Sequence, residues 1–349
     1  MIRALRERGV LAALTAALLF GIGTPFAKRL LEGASPWLLA GLLYLGSGAG
    51  LFLYRRAVRA PRVSMTRADA AWMGAAIAAG GIVGPVLLMV GLANMPASGA
   101  SLLLNAEGVF TALIAWFVFR ENFDRRIALG MILIIAGAVV LSWPGEARFG
   151  AALPALAVLG ACLAWAIDNN LTRKVALTDA TFIAMAKGLA AGSFNIALAL
   201  AAGAALPSAL TVAGAAVLGL LSYGVSLALF VVALRELGTA RTGAYFSIAP
   251  FAGALIALPL LGEEASWQLA TAGALMAIGI WLHLTERHGH RHRHVAVEHE
   301  HSHVHDEHHR HLHPPGTPEG EPHAHRHAHE PLSHDHPHYP DSHHRHGHD

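Results

Sequence analysis

Cysteine is almost missing: Cys162 stands alone among 349 residues. A single thiol excludes an internal disulfide and any zinc site built on cysteines, and it reads as small apolar filler. Charge is scarce as well. Asp, Glu, Lys and Arg make up 14% of the chain, against about 25% in an ordinary soluble domain. Histidine is absent from residues 1–282, although the chain holds 24 of them; His283 comes first and the other 23 fall in 288–349. The chain is therefore two materials joined end to end, a very apolar stretch to about 285 and a polar, histidine-loaded tail. The net charge of +2 has no basic face behind it, so a nucleic-acid partner is not expected.

What is abundant is long apolar sequence. Runs near 20 residues recur at 9–27, 35–54, 69–91, 97–119, 125–143, 151–171, 180–203, 210–234, 239–261 and 266–285. Each is long enough for a hydrocarbon layer of about 30 Å at about 1.5 Å per residue. An ordinary soluble enzyme is excluded, and the lipid bilayer is the first partner. The opening run is no cleavable leader: Arg3, Arg6 and Arg8 precede it, but Lys28 and Arg29 follow it and no A-x-A site closes it. With the N-terminus inside, cytoplasmic segments carry 15 Lys and Arg before the tail and outer segments carry three: Lys28, Arg29 and Arg148. That asymmetry sets the N-terminus inside, and an even number of crossings brings the tail inside too.

Ten runs read as five plus five. A shift of 142 lays Ala112-Leu113-Ile114-Ala115 on Ala254-Leu255-Ile256-Ala257 and Glu121 on Glu263; a shift of 145 lays Phe20 on Trp165. Five is odd, so the second set starts from the opposite face. Inverted repeats of this kind are a transporter architecture with the substrate site near the midplane. The expected fold is an all-α integral membrane protein of ten transmembrane helices in two inverted five-helix repeats, 1–145 and 146–285. A disordered His-rich cytoplasmic tail, 286–349, completes it.

The segment from Ser101 to Glu121, with Asn105 and Glu107 near its start, resembles the fourth-span signature of the drug/metabolite transporter superfamily, EamA type. Phe246 to Glu263, with Pro250 and Gly262, resembles its ninth-span partner. Gly108 stands where a proline is usual, Arg120 where a glycine is usual, and Ala249 opposite Glu107. The resemblance covers about 5–285. It implies a carrier of small metabolites, often an exporter, in the bacterial inner membrane, with no catalysis and no required cofactor, and it allows a homodimer.

Polar residues inside the spans are the site candidates. Glu107 lies ten residues into its span, about 15 Å deep, where a carboxylate costs about 3 kcal/mol or more and must face the bundle or a wet cavity. It reads as a substrate contact or a proton-coupling group. Asp168 and Lys187 approach the cytoplasmic ends of adjacent spans at depths of about 6 and 10 Å, close enough to meet. Asn169 sits beside them, and Asn105, Asn195 and Thr24 are weaker candidates. Pro85 and Pro250, near mid-span, are the hinge candidates. The pairs Gly46/Gly50, Gly80/Gly84 and Gly188/Gly192 mark close helix packing.

The tail repeats His-x-His, at His299, His301, His303 and His305, then His308, His309, His311 and His313, then His323, His325, His327 and His329, then His334, His336 and His338. In an extended chain alternate residues share a face, and neutral imidazole suits Zn, Ni or Co. The expected tail partner is a transition-metal ion. Two alternatives follow: a Ni, Co or Zn transporter fed by the tail, and a metal-storage or sensing protein with a membrane anchor.

Overall fold

The computed structural model describes residues 8–63, 65–119, 125–142, 152–172, 175 and 178–284, and the tail segments 289–293, 297–303, 323–329 and 333–337. The chain divides into a unit of residues 1–286 and a second of 287–349.

Among the described residues of the first unit, all regular structure is helical. The helices are α1 (Arg8–Leu30), α2 (Pro36–Ala57), α3 (Arg67–Ala76), α4 (Gly84–Ala93), α5 (Ala97–Leu103), α6 (Ala106–Phe119) and α7 (Arg125–Ser142). They continue as α8 (Leu153–Thr172), α9 (Ala180–Ala201), α10 (Ala209–Gly219), α11 (Ser226–Phe246), α12 (Ala249–Leu261) and α13 (Trp267–Leu284). A π-helical turn, Ile77–Val83, joins α3 to α4, and another, Leu220–Val225, joins α10 to α11. Helix starts are chemically marked. Ser35 accepts from Leu38 N ahead of Pro36, Thr66 and Asp69 form a reciprocal capping box, and Ser208 accepts from Thr211 N. Gly262, at φ 65°, closes α12 in the left-handed conformation that glycine enters without penalty.

Among the described residues, six continuous helical stretches are long and apolar enough to cross a membrane: 8–30, 36–57, 67–93, 153–172, 180–201 and 209–233. Shorter apolar helical stretches lie at 128–140, 249–261 and 267–282. Their outward faces carry Leu53, Ile132, Leu210, Leu255 and Trp281, each at least 60% exposed. An apolar exterior of this extent belongs against lipid.

Two boundaries differ from the ten runs read in the sequence. The expected run 97–119 is split at Leu104–Asn105 into α5 and α6. The expected break between 234 and 239 is absent; α11 runs through it and the chain breaks at Ser247–Ile248 instead. Gly238 alone does not stop a helix, whereas Pro250 cannot donate to the carbonyl of residue 246 and restricts Ala249 before it. The irregularities recur along the chain: Ser247 stands 142 residues after Asn105, and the two π-helical turns begin 143 residues apart.

Glycine sets the closest helix contacts. At the α2–α9 crossing, a Cβ on Gly188 would stand 2.5 Å from Gly48 N and 2.7 Å from Tyr44 O, and one on Gly41 would stand 2.8 Å from Ile196 N. Gly192 meets Leu45 in the same way, while Gly46 and Gly50 abut Ala216 and Leu220. With no water to expel between helices in lipid, such backbone contact is what holds them together.

The second unit contains two antiparallel ladders. β1 (Gly289–Arg293) pairs with β4 (Ser333–Pro337), and β2 (Val297–His303) with β3 (His323–His329). The expectation of a tail without regular structure is corrected for these segments. Alternating His-x-His sequence has the two-residue period of a strand, and pairing satisfies backbone groups without an apolar core. The register sets His299 opposite His327, His301 opposite His325 and His303 opposite His323, with His290 opposite His336 and His292 opposite His334. His329 stands opposite Val297. His305, His308, His309, His311, His313 and His338 lie outside the described residues.

Candidate functional site

The break at Leu104–Asn105 starts α6 afresh and puts Glu107 in its first turn, where the free N–H groups of a helix end favour a carboxylate. Glu107 is partly buried and accepts a 2.7 Å hydrogen bond on Oε1 from Asn169 Nδ2 of α8. Glu107 forms no salt bridge among the described residues.

One residue before Asn169, Asp168 turns to α9. Lys187 Nζ donates to Asp168 Oδ1 at 2.5 Å and to Thr172 Oγ1 at 2.7 Å, and the Thr172 hydroxyl donates to Asp168 Oδ1 at 2.8 Å. The pair is well sequestered, with side chains 3% and 11% exposed at Lys187 and Asp168. A charge pair so buried is tolerable only with its hydrogen bonds made. Gly80 leaves room for it, because a Cβ there would occupy the Asp168 carboxylate.

The π-helical turn at 77–83 explains the surrounding polar network. Its distorted ladder leaves carbonyls to be satisfied from other helices. Gly80 O accepts from Tyr44 Oη and from Trp165 Nε1, each at 2.9 Å. Gly81 O, four residues before Pro85, accepts from Asn195 Nδ2 at 3.2 Å. Pro85 itself lies at the start of α4, and Pro250 at the start of α12. Only Pro250 follows a real break, where a missing N–H costs little. Pro85 lies inside the continuous stretch 67–93, and its missing N–H leaves Gly81 O to Asn195.

Glu107, Asn169, Asp168 and Lys187 share one cavity of about 560 Å³, open mouth included. Its other walls are aromatic and hydroxylic: Phe20, Tyr44, Trp165, Tyr223, Phe230 and Phe246, with Ser222, Ser226 and Leu227. Phe20 is the hub, with ring centroids 5.9 Å from Trp165, 5.9 Å from Tyr223 and 5.3 Å from Phe246. The few polar groups converging among rings are those of a small-molecule site. Asn105 is not part of it. It is buried with Nδ2 on Leu102 O and near Met276 Sδ. Thr24 is buried outside the lining, and Asn195 braces Trp37 and the π-helical turn. The aromatic walls were not singled out in the sequence as a site. The one available signal was the repeat position shared by Phe20 and Trp165.

Two grips lie at opposite ends of the helices. Lys28 Nζ, in the last turn of α1, donates to the carbonyls of Leu92, Ala93 and Met95 at 2.7, 3.2 and 3.1 Å. Glu263, just past α12, accepts from Ala97 N and Ser98 N at 2.7 and 3.0 Å. The corner between α4 and α5 is thus held by a cation on one helix end and an anion on the other, each matching the local dipole. At the other grip, Arg55 of α2 bonds Asp179 Oδ1, Thr181 Oγ1 and Pro61 O, and stacks 5.7 Å over the Phe182 ring. Burial raises the Asp179 carboxyl, but the Thr181 hydroxyl, the Phe182 N–H and Arg55 outweigh it and hold the group below its ordinary value.

The fold has a solved counterpart: a crystal structure 19% identical in sequence superposes with a TM-score of 0.62, covering 80% of this chain and 99% of the other. An uncharacterized transporter of Methanothermobacter thermautotrophicus is 28% identical over 300 residues, 78% of this chain and 85% of that protein. A probable 4-amino-4-deoxy-L-arabinose-phosphoundecaprenol flippase subunit ArnE of Pseudomonas fluorescens is 35% identical over 105 residues, 30% of this chain and 91% of that protein. Residues 7–143 match the EamA-like transporter family. With its apolar helices around one polar cavity, this multi-pass membrane protein belongs to the EamA-like transporters of the drug/metabolite transporter superfamily.

Proposed function

We propose that the chain is a secondary exporter of small metabolites in the bacterial inner membrane, working by alternating access between two inverted halves, 1–145 and 146–285. The observation that carries this reading is the cavity itself. Its Glu107–Asn169 bond joins residues 62 apart, one from each half, and both halves supply its aromatic walls. A site at the seam between repeats can change the side it faces when the halves rock. The recurrence of the helix break and of the π-helical turn at offsets of 142 and 143 supports the repeat.

The Lys and Arg asymmetry supports an inward N-terminus and tail, which places Lys28 and Glu263 on the outer side and Arg55 and Asp179 on the inner side. In that orientation the outer grip closes the α4–α5 corner while Asp168 and Lys187 lie toward the cytoplasm. Glu107 contacts the substrate or exchanges a proton for it, and the Asp168–Lys187 pair lines the path. Pro85, just after the π-helical turn, and Pro250, just after the break at Ser247–Ile248, are where the halves bend. The tail is a cytoplasmic metal-binding segment for Zn, Ni or Co, supported by the histidines set opposite each other in the β2–β3 and β1–β4 registers.

Proteoliposomes test the reading, with a metabolite mixture and divalent metals offered as competing solutes. The expected result is saturable flux of an organic solute that is lost in Glu107→Gln and kept after deletion of 287–349. Saturable metal flux lost in both variants would overturn it in favour of a metal carrier.

A further inference from the structure

We propose that the cavity selects organic cations, small amines whose ammonium pairs with Glu107 while an apolar or aromatic body lies among the rings of Phe20, Trp165, Tyr223 and Phe246. This rests on the cavity being the transport site, and it names what that site takes.

Charge accounting within the cavity carries the argument. Three charged side chains line it: Glu107, Asp168 and Lys187. Lys187 is committed, with two of its protons on Asp168 and Thr172 and its charge matched by the adjacent carboxylate. Glu107 has one neutral donor, Asn169, and no cation among the described residues. With Glu107 ionised, the uncompensated charge of the cavity is negative. An anionic solute would add a further negative charge beside two carboxylates. A zwitterion would need a cation for its carboxylate, and the lining cation is already paired. A cation supplies what Glu107 lacks.

The walls point the same way. Aromatic rings attract an ammonium over their faces, most strongly where water is excluded. Trp165 and Tyr44 spend their polar hydrogens on Gly80 O, which fixes both side chains by a hydrogen bond and turns no ring donor toward an anion. Ser222 and Ser226 are both buried, and Ser226 is spent on Ala16 O. The Ser222 and Tyr223 hydroxyls in the wall are neutral donors, and among the described residues no second cation lines the cavity to meet an anion.

Four near-isosteric probes test the assignment by calorimetric binding to the purified full-length chain: phenethylammonium, phenethyl alcohol, phenylacetate and phenylalanine. The expected result is that phenethylammonium binds about tenfold or more tightly than phenethyl alcohol. Glu107→Gln should erase that preference, Glu107→Asp should keep it, and Asn105→Ala, off the cavity, should keep it too. Both charge-retaining controls guard against a variant that merely fails to fold. Tighter binding of phenylacetate or phenylalanine, a preference that survives Glu107→Gln, or no binding of phenethylammonium overturns the cation assignment. Ser222→Trp, which fills the cavity, separates the two readings. If it blocks transport of an anionic or zwitterionic solute, the cavity stands as the transport site and only the substrate class falls. If it leaves transport unchanged, both fall.

Discussion

Breaking the buried pair of α8 and α9 is the most informative perturbation. Lys187→Met removes the ammonium and leaves the Asp168 carboxylate, 11% exposed, with only the Thr172 hydroxyl as donor. An uncompensated charge at such a site costs about 3–5 kcal/mol. Asp168→Asn strands the ammonium instead, at similar cost, since only neutral oxygens then accept from it. The double variant removes both charges, keeps the volumes close to native, and should return to within about 1 kcal/mol of the parent. The coupling in this cycle is then several kcal/mol, far above the additivity error of about 0.5 kcal/mol. Gly80→Ala should mimic the single variants, because its methyl group takes the place of the carboxylate, whereas Gly74→Ala, with open space beside it, should not. Reversible SDS-titrated unfolding in mixed micelles, followed by tryptophan fluorescence, reads all five proteins. Single-variant losses under about 1 kcal/mol, or losses that simply add, would refute the claim that the pair acts as one buried unit.

Three further outcomes are expected. Gly188→Leu should push α9 off α2 and destabilise by several kcal/mol or prevent folding, while Gly214→Leu, which meets only the Leu30 side chain, should be far milder; the same titration reports both. Asp179 has a lowered folded value, so its stabilisation is present above the ordinary carboxylate range and fades as pH falls through the depressed value. The gap between the native chain and Asp179→Asn should therefore hold at neutral pH and close in acid, and remain small because the carboxylate is 34% exposed to screening water. Deleting 287–349 should abolish most zinc and nickel binding in calorimetry, and in the intact chain that binding should fade as pH falls through about 6.5; undiminished binding at pH 5 would exclude imidazole ligands.

Local chemistry was legible in the sequence. Apolar run length and the small-residue pairs depend on neighbours within a few residues, and they announce spans and crossings. The depths of Asp168 and Lys187 could be counted from flanking charges, because both lie near the same turn. Partners from distant helices could not be counted. Glu107 and Asn169 meet only because the break at Leu104–Asn105 resets the phase of α6, and no motif in that stretch marks the break. Gly41 and Gly48 lie seven residues apart, two turns rather than one, and so escaped the one-turn spacing that revealed Gly188 and Gly192. Glu263 looked like a signature residue without a task. Its task, two amide hydrogens 165 and 166 residues away, depends on where α12 ends relative to α5.

The corner between α4 and α5 is tied by two side chains at once. Lys28 and Glu263 together occupy five main-chain groups, three carbonyls and two amides. Those groups belong to helix ends that have no partners of their own. Swinging the corner away would expose all five at once, so under the proposed alternating-access cycle the corner would part as a single concerted step, with water taking over the five groups.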